Sequence, residues 1–158
     1  MTDPSTSLGP DPGPRLAVRA VILHRDRLLL INAWPDNRSD LWCLPGGGVE
    51  LHSSLPDNLI REVYEETGLS VTVGDPVRVN EFHDPGGTFH QVDLYFRCHV
   101  ADDTLDDGWR DPLGVVNRRC WVTRAEMAVL RFKPDSLPQI AWGKQGTILY
   151  DPLEPILR

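Results

Sequence analysis

The stretch from Leu44 to Leu69, LPGGGVELHSSLPDNLIREVYEETGL, constrains the fold more than any other part of the chain. Its first half reads as a short strand that breaks into a glycine loop. Its second half reads as a helix starting near Ser54. Ser54 and Asp57 form a capping-box pair, and Pro56 is tolerated because first-turn N–H groups have no intrahelical partner. Gly68 is a natural stop after the last helical residue. At roughly 100° per residue, Glu62, Glu65 and Glu66 share an arc of about 100°. Leu55, Leu59, Ile60 and Val63 fill the adjoining arc, expected to be the buried face. The three acids therefore border the core at the end of the helix.

Local energetics oppose that placement. Glu62 and Glu66 repel at i,i+4, at a cost of roughly a few tenths of a kcal/mol. Carboxylates near a helix C-terminus also meet the negative end of the dipole, losing about 0.3–1 kcal/mol each. Arg61 offsets part of this but not three charges. A sequence that breaks local rules does so at functional sites, and the missing partner is a cation. Oxygen ligands without sulfur or imidazole suit Mg²⁺ or Mn²⁺. Taken alone, the run also fits a solvated acidic face.

Around this stretch the periodicity alternates between strands and short helices. LAVRAVILH and RLLLINA read as two strands turning near Arg25 and Asp26. LSVTV, PVRVNEFHD and FHQVDLYFRCHV read as three more, the last two joined at Pro85-Gly86-Gly87. RRCWV is a further strand, and TRAEMAVLRF and DSLPQIAW suggest two short helices. The expected architecture is α+β, a mixed β-sheet sandwiched between α-helices. Residues 1–14 are rich in Pro, Gly, Ser and Thr and are expected to be a disordered tail. A single domain is expected over 15–142, with a C-terminal extension over 143–158. That extension could fold back on its own domain or add a strand to a second copy in a homodimer.

Charge and cysteine usage exclude several classes. The chain of 158 residues carries 23 acidic and 16 basic side chains, a formal net charge of −7. That balance argues against a nucleic-acid binder. Cys43, Cys98 and Cys120 show neither paired nor zinc-ligand spacing, which points to a reduced, cytoplasmic setting. MTDPSTSLGPDPGP lacks the basic start and apolar core of a signal peptide. No apolar run is long enough to span a bilayer.

Gly47, five residues, position 53, seven residues, and then Arg61-Glu62-Val63-x-Glu65-Glu66-x-Gly68-Leu69 resembles the motif of the Nudix hydrolase family. The flanking LWCLPGGGVE and the preceding strand pair resemble it too, over roughly residues 16–140. The resemblance implies a Nudix fold and Mg²⁺-dependent cleavage of a phosphoanhydride in a nucleoside diphosphate-linked compound. Nucleoside triphosphates, ADP-ribose, sugar nucleotides and dinucleoside polyphosphates all remain open as the small-molecule substrate. It implies Glu62, Glu65 and Glu66 as metal ligands, the Gly47 carbonyl region completing the site, and Arg61 orienting the carboxylates through its rigid fork. Two positions depart from the family pattern: Ser53 stands where a glutamate is expected and His52 where glycine is usual. Glu50 lies close enough to supply charge. The departures leave a second reading, a catalytically weakened Nudix-fold module that binds nucleotide without turning it over.

Hydrolysis also needs a base within about 3 Å of the attacking water. Glu65, Glu66, Glu81, His83, His90 and Asp93 are candidates. A planar group could stack on Trp34, Trp109, Phe82 or Phe89, and Arg38, Arg110, Arg118 or Arg119 could meet phosphates. Trp34, Arg38, Glu81 and Trp109 are the substrate-contact candidates favoured here. Trp42, Trp121 and Trp142 are expected in the core.

Overall fold

A computed structural model describes residues 13–34, 38–151 and 153–157. Most of the expected N-terminal tail, and Pro35 to Asn37 of the loop before Leu41, lie outside the described residues. The elements are β1 (Arg15–His24), β2 (Arg27–Asn32), β3 (Leu41–Trp42), β4 (Gly46–Gly48), α1 (Leu55–Thr67), β5 (Val71–His83), β6 (His90–Val100), β7 (Arg118–Thr123), α2 (Arg124–Met127), β8 (Arg131–Phe132), α3 (Leu137–Trp142), β9 (Leu149–Tyr150) and β10 (Glu154–Pro155). The principal sheet runs β10-β5-β6-β1-β2-β7, with β3 and β8 in a separate pair. β1 pairs in parallel with β6, so the sheet is mixed.

β1 is the hub. Its first half pairs antiparallel with β4, Val18 opposite Gly47. Its last residues pair antiparallel with β2 through a two-residue turn. Arg25 and Asp26 both take positive φ there (51° and 60°), the geometry a tight hairpin demands. Alternation along β1 covers both sheet faces. Val18, Ala20 and Ile22 pack with Leu59 and Val63 of α1. Val21 faces the opposite layer with Tyr95, Leu137 and Ile140.

Several expectations are corrected. Val71–His83 is one strand rather than two, because register shifts around Pro76 absorb the interruption that the proline imposes. The helix expected through TRAEMAVLRF stops at Met127, and Arg131–Phe132 instead pairs in parallel with Leu41–Trp42. The glycine run is itself a strand, registered on β1. Ile60 is exposed: the buried stripe of α1 is Asn58, Leu59, Val63, Glu66 and Thr67. Trp42, Trp121 and Trp142 are half-buried against the two cores.

The C-terminal extension folds back, β9 and β10 both pairing in parallel with β5. Asp151 fixes it, bonding Arg78 at 2.8 Å and Ser136 at 2.7 Å in a buried cluster. Among the described residues, no helix is long and apolar enough to cross a membrane.

Candidate functional site

The glycine loop is shaped from three sides. Gly46 has φ +149°, and a Cβ there would overlap the Val18 carbonyl, so only glycine fits against β1. Arg19 reaches under the loop from β1. Its Nη1 donates to the carbonyls of Gly46 (3.2 Å) and Leu44 (3.5 Å), and its Nε to Asp93 Oδ1 (3.2 Å). Asn58, fully buried on α1, ties down the other end of the loop. It accepts from the Glu50 N–H and donates to the carbonyls of Ser53 and Ser54. His52 adopts φ 67° in this segment, so the backbone there takes the left-handed turn that its usual glycine would favour. Ser53 contributes its carbonyl to Asn58 and leaves its side chain exposed.

α1 lays its acids over this loop. A Cβ on Gly47 would come within 2.5 Å of the Glu62 carboxylate, so the glycine is what lets that carboxylate sit there. Glu66 Oε2 accepts from the Gly46 N–H at 3.4 Å. Arg61 binds Glu62 (3.1 Å), Glu65 (3.2 Å) and Glu50 (3.4 Å). Glu50 thus joins the acidic cluster, and Arg61 neutralises part of it.

Glu66 differs from the others. It is 8% exposed and, among the described residues, has no ion-pair partner within 4.0 Å. Burial pushes its carboxyl up to about 8, against the pull of Arg19 and the Gly46 N–H. Burial also raises Glu62, with Arg61 opposing. A buried and a half-buried carboxylate, each held against its own desolvation, are short of positive charge, and their all-oxygen donor set suits a hard divalent cation. Among the described residues, no three His, Cys, Asp or Glu side chains close into a ready cage. The donors fit such an ion in kind and charge, with Arg61 lying between Glu62 and Glu65.

The remaining candidates are dispersed. Glu81 accepts from Tyr150 Oη at 2.6 Å and is 2.8 Å from His90 Nε2. The His83 and His90 rings lie 6.3 Å apart. Trp109 donates its indole N–H to the Glu65 carbonyl and meets Tyr64 edge-on at 5.0 Å. It covers Gly68 and caps the end of α1. Trp34 accepts from Asn117 at its carbonyl, and Arg38 is exposed. Neither lines the two cavities beside the site. One of these, about 150 Å³, opens beside Arg19 between Phe82, Phe89, Asp93 and Lys133. The other is a groove of about 780 Å³ past the end of α1, lined in part by Trp42 and Trp109. Sequence reasoning missed Arg19, Asn58 and Lys133, which lie outside the motif's specified positions. The bare arginine in the apolar strand LAVRAVILH was the one available signal.

A mixed sheet between helices, with a glycine loop registered on its central strand and an acid-bearing helix laid over that loop, defines the Nudix fold class. The chain belongs to the Nudix family: the NUDIX domain model matches residues 13–143. It is 35% identical over 98 residues to a MutT-like protein of Streptomyces ambofaciens, covering 62% of this chain and 59% of that protein. It is 29% identical over 102 residues to human diphosphoinositol polyphosphate phosphohydrolase 2, covering 62% and 50%. The chain thus spans little more than half the length of these relatives. A NUDIX hydrolase from Nitrosomonas europaea superimposes with a TM-score of 0.68 at 22% identity, covering 80% of this chain and 85% of that one.

Proposed function

We propose that this protein is a Mg²⁺-dependent hydrolase that cleaves a phosphoanhydride bond in a nucleoside diphosphate-linked small molecule. One observation carries the reading: Glu66, buried beside the glycine loop, has no cationic side chain paired with it among the described residues. A phosphoanhydride resists attack because its oxygens repel a nucleophile. Mg²⁺ or Mn²⁺, held by Glu62, Glu65 and Glu66 with the Gly47 carbonyl region, would offset that charge and make bound water more acidic. The chain's own groups do the rest. Arg61 fixes Glu65 through two bonds from Nη1, at 3.2 and 3.3 Å. Arg19 holds the loop so that the Gly46 N–H faces Glu66. Glu65, whose side chain is 28% exposed against 13% for Glu62, is open to an incoming water and is our candidate base, with Glu66 the alternative. The cavity between Phe82 and Phe89 offers apolar walls and a few polar groups to a planar moiety. The name of the human relative, a phosphohydrolase, is in keeping with hydrolysis at phosphate.

The test is a nucleotide panel with Mg²⁺ and product identification, run on the parent and on the Glu65→Gln/Glu66→Gln double variant. The parent should release phosphate or a nucleoside monophosphate from at least one substrate, and the double variant from none. Equal activity in both sinks the metal-helix argument. Tight nucleotide binding with no turnover in the parent would favour the binding-module reading instead.

A further inference from the structure

We propose that the groove beyond the end of α1 is an oligophosphate site, holding phosphate groups outside the anhydride that is cut; this rests on the hydrolase reading above. Arg110, Arg118 and Arg119 line that groove of about 780 Å³. Among the described residues, none of the three has a carboxylate within 4.0 Å, although Arg19, Arg27, Arg61, Arg78 and Arg131 all do. Main-chain carbonyls hold them instead. Arg110 Nη1 donates to Asp107 and Trp109, both at 3.0 Å, Arg118 Nη2 to Ser39 at 3.0 Å, and Arg119 Nε to Glu66. A carbonyl orients a guanidinium without cancelling its charge. Each arginine has five N–H donors, so most of every fork remains to be used.

Asp106, Asp107 and Asp111 share the groove, and the carboxylates of Asp106 and Asp111 are committed to the loop itself. The Asp111 carboxylate accepts from the N–H groups of Leu113, Val115 and Val116. Asp106 accepts from Gly108. These bonds stiffen the rim that carries Arg110. Arg118 is further set by stacking over Trp42 at 5.2 Å. Three oriented forks in one groove, none in contact with a carboxylate among the described residues, match the planar bidentate geometry that phosphate oxygens offer. The groove also abuts the chemistry. Arg119 bonds the carbonyl of Glu66 itself, and its guanidinium and the Glu66 carboxylate lie within each other's field.

Titration calorimetry of inorganic tripolyphosphate in EDTA tests the site without any metal. The parent should bind, and Arg110→Ala/Arg118→Ala should weaken binding by about tenfold or more, the worth of one charge-assisted bond. Both side chains are exposed, so the fold tolerates their removal; Arg119 is spared because it holds the end of α1. Arg124→Ala/Lys144→Ala removes the same charge elsewhere and should leave affinity within about twofold, since distant surface charges are screened. The proposal fails if tripolyphosphate does not bind in EDTA, or if the two double variants weaken it equally. Failure of the hydrolase reading would show separately, as an inactive parent that still binds tripolyphosphate through these arginines.

Discussion

Gly47→Ala isolates the seat of Glu62, a carboxylate we propose holds the metal, from the stability of the fold. The added Cβ would lie 2.5 Å from Glu62 Cδ, and ordinary contact begins at 3.4 Å, so the carboxylate must retreat about 0.9 Å (3.4 − 2.5). The obstacle is the far end of a flexible side chain, and Gly47 is not among the positive-φ glycines. The backbone should therefore stay, and alanine should recover about 0.4–1 kcal/mol by restricting the unfolded chain. A displacement near 1 Å at a reacting centre costs about 10²-fold in rate, or roughly 2.7 kcal/mol of barrier. Gly46→Ala, one residue earlier, is the contrast. Its Cβ would strike the Val18 backbone from a left-handed φ, so the loss there should be one of folding. Thermal unfolding in parallel with a Mg²⁺ titration of kcat/KM separates the two. We expect Gly47→Ala to melt within a few degrees of the parent with kcat/KM down by about two orders of magnitude. The reasoning is refuted if Gly47→Ala keeps kcat/KM within about twofold, or loses it only with a fall in Tm matching that of Gly46→Ala.

Two further outcomes follow from buried charge. In EDTA, the folded chain holds a proton on Glu66 up to about 8 while the unfolded chain releases it near 4.5, so the folded state binds more protons across that interval. Stability should then fall as pH rises through it, and Glu66→Gln should flatten the slope; parallel slopes of urea midpoint against pH in the two proteins would contradict this. Asp151→Ala should strand the buried Arg78, whose Nε already has no partner among the described residues, and destabilise by about 3–5 kcal/mol. Hydrogen exchange should show the Asp151 and Ile156 amides, bonded to Val79 and His83, losing protection first. An unaltered melting curve would count against that assignment.

What could be read in advance was whatever repeats locally. The β1–β2 hairpin, the helix bounded by Ser54 and Gly68, and the β5–β6 hairpin all carry their own periodicity and turn residues. β4 escaped because glycines have no side-chain pattern, and its strand identity comes entirely from Val18 opposite. The break at Pro76 looked final, but a bulge carries the strand past it. Leu130 to Phe132 had helical spacing, yet pairing with β3 won. At the site, the motif marked Glu62, Glu65 and Glu66 because they are contiguous on α1. It could not show that Glu66 lies on the buried stripe while Ile60 is outside it. Arg19 and Asp93, 74 residues apart, meet only through the parallel pairing of β1 with β6.

That pairing also has a consequence for how the chain is born. On a ribosome adding about 5–20 residues per second, roughly 4–15 s separate the emergence of Arg19 from that of Asp93. Over the last 26 residues of that interval (93 − 67), roughly 1–5 s, the nascent chain already displays the complete acidic helix, while the strut beneath its glycine loop has nothing to brace against. A translation product truncated after Leu69 would contain every letter of the motif and lack the strand that braces it.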